Sequence, residues 1–594
     1  MEDKSKAGAP PIYWQDVECK ESIPQGEFPS GFTEELFDVV NSKKTRREFL
    51  SILGFTVVVP TLTSCTRVPV TKALGFINRE EGVVPGVANW FATTCHGCEA
   101  SCGLHVKTRE GRPVKIEGNP DSFFSKGGAC AVGQATVLSL YDSARFLEPS
   151  INGKKATWAA IDAALPGALK DANGKGKIVL LTGRVNSPST LGVLARFKAS
   201  YSNFEHVTYE PFSYSAIFDS YEKTHGLRAI PRFDLNAAES LLSVGADFLG
   251  TWYGPVAFAK AYSAQRDLKQ RGGAMLRHIQ VEADMSVSGS NADLRVPVKA
   301  TDESAVLVEV LREVAALALR KLSIPATQLD ERLKSTARTI ARDLWNNRKK
   351  ALVLCGSNRV DDQVNANTLN DLLGAFGTTI RLYETKETGV SKDGEMEKLV
   401  VEMAQGKVSA LLVADVNPAY SYPSTKLWQE ASAKVGLQIY LGPEPNETSQ
   451  SASYLCPGNH FLESWNDHSL GAGRYSLTQP TIQPLRATRM YQESLLRWAG
   501  REETFYDFIQ STWRANLFPK QKTHLTFEGF WNEAVRTGGL SFRAPPRFGR
   551  CFVPRRCKST PRTQPGLICC SIKRQEYGTA GTRITRGYKS CQTQ

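Results

Sequence analysis

Three cysteines crowd into eight positions of "TTCHGCEASCGLHVKTREGRPVKIEGNP" (93–120): Cys95, Cys98 and Cys102. A fourth, Cys130, follows in "SKGGACAVGQA", which completes the spacing C-x2-C-x3-C-x27-C. Three local thiolates and one distant one suit a [4Fe–4S] cluster. Zinc more often takes paired C-x2-C knuckles. Disulfides are the alternative in an oxidising compartment, although three cysteines this close pair awkwardly among themselves. Gly97, Gly103, Gly127 and Gly128 let the backbone bend around a cluster and turn N–H groups toward its sulfurs. His96 and His105 lie nearby and are expected to be packed or solvated rather than ligating. No phosphate-binding P-loop, nucleophile elbow or H-E-x-x-H helix occurs.

Elements rich in apolar residues must position this loop. "KIVLLTG" (177–183), "SLLSVGAD" (240–247), "RHIQVEAD" (277–284), "KALVLCGSN" (350–358), "TIRLYE" (379–384), "SALLVADVNP" (409–418) and "LQIYLG" (437–442) read as buried parallel strands. Helical runs such as "DESAVLVEVLREVAALALRKL" (302–322) separate them. The pattern predicts an α/β fold with doubly wound parallel sheets. Ligands of such sheets bind at the carboxyl ends of the strands, where "TGRVNSPST" (182–190), "GSNRV" (356–360) and "DVNPAY" (415–420) lie.

The quartet and the stretch "VKTREGRPVKIEGNPDSFFSKGGACAVGQA" resemble the N-terminal domain of the molybdopterin (bis-guanine-dinucleotide) oxidoreductase superfamily, and the likeness runs from about Asn89 to about Thr537. An extended N-terminus with Tyr13-Trp14 ahead of Arg46-Arg47 is similar to the twin-arginine-variant members, which include the B subunit of alternative complex III. The resemblance implies a small N-terminal [4Fe–4S] domain followed by the doubly wound domains. It also implies a molybdopterin guanine dinucleotide against "VSGSNADLRVPVKATDESAVL" (287–307) and "LCPGNHFLESWNDH" (455–468), with Ser288, Asn291, Asp293, Asn417 and Asn459 as contacts.

Three departures count against molybdenum catalysis. No cysteine stands between Cys130 and Cys355 to ligate the metal, and Ser213 and Ser215 in "EPFSYSA" are weak substitutes. Val132 occupies the place of the Lys or Arg that often follows the fourth cysteine, and "KATD" (299–302) replaces Pro-Gly-Thr-Asp. Cys355 and Cys456 sit in apolar strands and read as small buried hydrophobes.

Residues 43–65, "KKTRREFLSILGFTVVVPTLTSC", have the order of an export signal: basic patch, short apolar core, small residues. Arg46-Arg47 followed by Phe49-Leu50 point to the twin-arginine route. "LTSC" reads as a lipobox, with Cys65 acylated and the protein tethered on the periplasmic side of the membrane. The apolar core is too short to cross a bilayer, which takes about 20 residues.

The net charge of +13 is misleading. Residues 543–594 hold twelve Lys and Arg against the single Glu576, a charge of +11, which leaves +2 for the other 542 residues. A nucleic-acid partner is therefore not expected. That tail, with five cysteines and no periodicity, reads better as out-of-frame translation than as a basic disordered arm. Family members continue with a ferredoxin-like region, so the chain is expected to be truncated.

The expected organisation is an extended N-terminal segment (1–42), an export signal (43–65), a linker (66–89) and a [4Fe–4S] domain (90–148). α/β domains (149–490), a helical region (491–542) and the anomalous tail (543–594) follow. The expected function is that of an iron–sulfur protein within an exported, membrane-associated, quinol-oxidising complex. Its expected partners are the other subunits, with quinol acting indirectly. The alternatives are a catalytic molybdenum enzyme acting on a small oxyanion or sulfur compound, and a structural subunit with an empty cysteine site.

Overall fold

The computed structural model describes residues 84–542, apart from 85, 99, 270, 387–391 and 472. Arg46, Arg47, Cys65 and the cysteines of the tail lie outside the described residues. A three-stranded antiparallel sheet comes first: β1 (Asn89–Thr94), β2 (Gly103–Arg109) and β3 (Arg112–Gly118), in that order. Helix α1 (Ala131–Leu140) follows.

Next come β4 (Lys177–Thr182), α2 (Pro188–Ser200) and β5 (Phe204–Thr208). The chain then leaves this region and builds a second sheet from β6 (Ser240–Val244), β7 (Arg277–Glu282), β8 (Leu294–Pro297) and β9 (Ala351–Cys355). Helices α3 (Pro255–Gln265), α4 (Glu303–Leu317) and α5 (Glu331–Asn346) are interspersed. The order β8-β7-β6-β9 is parallel throughout. The chain then returns to the first sheet with β10 (Val408–Ala414), β11 (Leu437–Leu441) and β12 (Tyr454–Leu455). There β12-β11-β10-β4-β5 run parallel, and two short antiparallel strands extend the edge beyond β12. The doubly wound α/β fold anticipated from the strand runs is therefore present, and the second sheet is inserted within the first.

The parallel strands are continuous apolar runs because helices cover both their faces. Ile178 to Leu181 and Ala351 to Cys355 are all buried, and burying such a side chain fully stabilises by about 1.5–3 kcal/mol. The last part of the chain adds the hairpin β13 (Asn466–Gly471) and β14 (Arg474–Thr478). Helices α6 (Tyr491–Trp498), α7 (Phe505–Asn516) and α8 (Phe527–Thr537) follow, then β15 (Gly539–Ser541), which pairs with β14. Trp498, Trp513, Phe530 and Trp531 from these helices enter the same core as β4 and β10.

Two expected elements differ. "TIRLYE" is not a buried parallel strand. The strand Ile380–Lys386 pairs antiparallel with Ile230–Phe233 in a separate ribbon. Its sequence, IRLYETK, mixes apolar and charged residues instead of forming a continuous apolar run, and Arg381 lies 2.6 Å from Asp234. The helix expected over 302–322 stops at Leu317, where Leu319 turns left-handed at φ 52.

Candidate metal centre

The cysteines occupy the connection between β1 and β2 and the start of α1. The Cys95 N–H donates to the Cys102 carbonyl at 2.8 Å, which closes the base of the loop that carries Cys98. At the far end of β3, a Cβ on Gly118 would stand 2.3 Å from the Gly127 carbonyl oxygen. Only glycine allows the returning segment to approach so closely and deliver Cys130.

Cys130 caps α1, and its Sγ accepts from the Gly133 N–H at 3.3 Å. The Gly97 N–H donates to Cys95 Sγ at 3.4 Å. A Cβ on Gly133 would lie 3.6 Å from Cys130 Sγ and 3.7 Å from Cys95 Sγ, so the two sulfurs face one small space. Burial raises the Cys95 pKa, the Gly97 N–H lowers it, and the neighbouring Cys130 raises it again. Thiolates placed this way need a cationic centre between them, and helix starts and N–H donors favour the sulfur anion. Among the described residues, no three Cys, His, Asp or Glu side chains are gathered to hold a single metal ion. A zinc site would bring all its ligand atoms within about 2.3 Å of one point. The Cys95 and Cys130 thiols, their N–H donors and the adjoining glycines suit a thiolate-held centre. Of the glycines expected to aim N–H groups at sulfur, Gly97 does so. Gly103 and Gly128 instead allow close packing against Ser122 and Val256.

Cys95 and Cys102 are buried, whereas Cys98 and Cys130 are exposed. The exposed edge continues onto α1, whose ten residues carry no charge and which presents Val132 at 67% and Leu138 at 71% exposure.

A polar shell supports the buried edge. His96 stacks on Phe461, with ring centroids 5.5 Å apart, and its Nε2 lies 3.1 Å from His468 Nε2. His468 Nδ1 is 2.8 Å from Asn186 Oδ1. His96 is solvent-exposed on one side and yet reaches a residue 372 positions away. Arg145 donates to Glu463 at 2.6 Å and to the Leu140 carbonyl at 2.8 Å, and both charged side chains are almost fully buried. Glu463 also accepts from the His460 and Leu485 N–H groups. Removing one member of such a pair leaves the other charge stranded, at a cost of about 3–5 kcal/mol. The variant Glu463→Gln is accordingly expected to lose roughly that much stability in urea melts.

The sheet ends expected to receive a dinucleotide hold the chain's own carboxylates. At α2, Asp467 accepts from Ser187 Oγ at 2.5 Å, Ser189 Oγ at 2.6 Å, the Ser189 N–H at 3.3 Å and Trp513 Nε1 at 2.8 Å. In the second sheet, Glu303 accepts from the Ala283 N–H at 2.9 Å, Glu282 from the Ser286 N–H at 3.2 Å and Asp247 from the Ser288 N–H at 2.9 Å. A Cβ on Gly289 would come within 1.7 Å of Glu282, and one on Gly245 within 2.6 Å of Glu303. A phosphate would meet anions at each of these places, so the donor set there does not fit one. Of the five expected contacts, Ser288 donates to Asp247, Asn291 to the Val287 carbonyl and Asn417 to Glu447. Asp293 accepts both terminal nitrogens of Arg266. Only Asn459 keeps a buried oxygen without a hydrogen-bond partner. Just after β10, Asp415 holds a left-handed backbone (φ 56), and desolvation of its carboxyl raises the pKa to about 6.

Ser213 donates to Asp393 at 2.5 Å and accepts from the Ser215 N–H, so both serines belong to a local loop network. Cys355 and Cys456 are buried, and burial pushes both thiols up to about 12.

Residues 88–142 match the molybdopterin oxidoreductase Fe4S4 domain. The chain carries that domain. Three curated proteins are similar over longer stretches. The menaquinone reductase molybdopterin-binding-like subunit of Nitratidesulfovibrio vulgaris is 23% identical over 70% of this chain and 66% of its own length. The arsenate respiratory reductase molybdopterin-containing subunit of a Shewanella species is 22% identical over 69% of this chain and 60% of its own. A sulfite dehydrogenase subunit of Allochromatium vinosum is 27% identical over 37% of this chain and 23% of its own. The chain thus spans less than two thirds of each of these relatives. Acetylene hydratase from Pelobacter acetylenicus shares the fold at a TM-score of 0.59 and 13% identity, over 77% of this chain and 75% of that one. The matched domain supports a [4Fe–4S] cluster in this part of the chain, and residues 88–142 include the four cysteines expected to hold it.

Proposed function

We propose that the chain is an iron–sulfur electron-transfer subunit of an exported, membrane-associated respiratory complex that oxidises quinol, of the alternative complex III kind. The observation that carries this reading is an asymmetry. Two of the expected cluster ligands are exposed beside the uncharged face of α1, whereas N–H groups at the start of α2 and in the loop after β7, where pterin phosphates would be received, are taken by Asp467, Glu282 and Glu303. The bound cluster would take up and pass on one electron at a time. The chain's own residues hold it, exclude water from the Cys95 and Cys102 side, and leave the Cys98 and Cys130 side open to a redox partner. A relative named as a menaquinone reductase subunit supports a multi-subunit setting that handles quinones. The twin arginines and Cys65 support delivery to the periplasmic side and lipid anchorage there.

Purified protein should contain iron and acid-labile sulfide, give an EPR signal of a reduced [4Fe–4S] cluster, and lack molybdenum. Stoichiometric molybdenum would overturn the proposal. The competing catalytic reading draws on relatives named as molybdopterin-containing. A cofactor extract with iron but no pterin would reject it.

A further inference from the structure

The loop that carries the first three cysteines is held from outside at both flanks. Ser101, between Cys98 and Cys102, is buried and keeps a left-handed backbone (φ 50) that glycine would adopt more readily. A residue kept in a strained conformation at such a place points to a use for its side chain. Its Oγ accepts from Asn186 Nδ2 at 3.0 Å, across 85 residues. On the other flank His96, next to Cys95, has its Nε2 3.1 Å from His468 Nε2 and 3.1 Å from Thr478 Oγ1.

One series of hydrogen bonds joins the two flanks. Asn186 turns its Oδ1 to His468 Nδ1 at 2.8 Å, so that nitrogen carries the hydrogen. His468 Nε2 in turn meets His96 and, at 3.0 Å, Thr478 Oγ1. The series runs Ser101, Asn186, His468, His96, and its first three members are buried. Asn186 stands between β4 and α2, and His468 lies in β13. These two segments are also fixed to each other. The Ser469 N–H donates to the Asn186 carbonyl at 2.8 Å, and Ser187 Oγ donates to Asp467 at 2.5 Å. The loop after β4 thus grips the cysteine loop through side chains, and β13 braces the grip.

We propose that Asn186 and His468 are positioning residues for the cluster: they fix the cysteine loop through Ser101 and His96, and the positive end of the Asn186 amide, turned to that loop, raises the reduction potential. Hydrogen bonds around the ligands and the partners behind them are levers by which a protein tunes such a centre. The inference rests on the electron-transfer reading of the same site.

The test is an EPR-monitored redox titration of the iron-loaded full chain. Ser101→Ala and Asn186→Leu should each lower the midpoint potential, with a tenfold fall in the reduction equilibrium constant, or about 59 mV for one electron. The double variant should shift no further than the larger single one, because both remove the same hydrogen bond. His468→Gln keeps a donor for Asn186 and should shift the potential less than His468→Leu. Ser189→Ala removes a hydrogen bond to Asp467 at the same helix start, and should lower the melting temperature with the potential unchanged. A wild-type or raised potential in Ser101→Ala, additive shifts in the double variant, or an equal shift in Ser189→Ala would each overturn the proposal. Ser101→Ala alters only the loop, so it decides the matter even where Asn186→Leu does not fold. A wild-type chain that takes up no iron would overturn the electron-transfer reading and this inference with it, whereas a loaded chain without these shifts would overturn this inference alone.

Discussion

Gly133→Ala should leave the chain folded and strip it of most of its iron. The added methyl would stand 3.6 Å and 3.7 Å from two ligand sulfurs, ordinary contact distances when no cluster is present. Alanine is also the better helix former, by up to about 1 kcal/mol in a helix interior, so the iron-free variant should melt at or slightly above the wild-type temperature. With a cluster, the same methyl would project into the space that the Cys95 and Cys130 sulfurs share. We expect at least a fivefold drop in iron per chain by elemental analysis, with loss of the reduced-state EPR signal. Cys130→Ser serves as the control that removes a ligand outright. Full iron content in Gly133→Ala would mean that the sulfurs do not enclose the cluster on this side.

The second large effect is sensitivity to mild acid. Burial lowers the pKa of His225, His278 and His460 to about 4, and for His460 the Arg145 charge adds to it. All three are buried, at 5%, 0% and 9% exposure. Each native pKa lies below the unfolded value of about 6.5, so between those values the unfolded chain binds protons that the native chain refuses. Stability is therefore intact above pH 6.5 and falls as the pH drops toward 4. At about 1.4 kcal/mol per pH unit and histidine, the loss reaches roughly 6 kcal/mol at pH 5. That is comparable with the whole stability of many proteins, about 5–15 kcal/mol. Asp467 and Glu303, whose pKa values are raised by burial, act in the opposite sense and return part of the loss. Urea midpoints of the iron-free chain at pH 7.5 and 5.0 measure the net effect without interference from cluster loss. His278→Gln should remove about a third of the difference, and equal midpoints at the two pH values would refute the account.

How far the sequence disclosed the molecule depended on distance along the chain. The cysteine quartet is nearly local, and its spacing alone carried the cluster. Continuous apolar runs such as "KIVLLT" and "ALVLC" announced doubly covered strands, because burial on both faces leaves no polar positions. Gly133 was not legible, since a glycine in a short helix looks the same whether or not two sulfurs approach it. Neither was the His96–His468 contact, whose partners stand 372 residues apart. "WNDH" drew attention as a cofactor-contacting stretch. Only the three-dimensional arrangement shows that its Asp467 fills the α2 start itself, across 280 residues from Ser187. An isolated carboxylate in a sequence does not reveal which N–H groups it will satisfy.

The insertion of one sheet within the other also sets a timetable for synthesis. β4 lies between β5 and β10, and β10 is translated some 230 residues after β4. At 5–20 residues per second, one edge of β4 waits roughly 12–46 s on the ribosome for its neighbour, with the apolar Ile178 to Leu181 exposed in the meantime. A nascent chain halted anywhere before β10 would present that edge to other proteins. Chaperone demand should therefore peak while the inserted sheet is being made and fall once β10 and β11 have emerged.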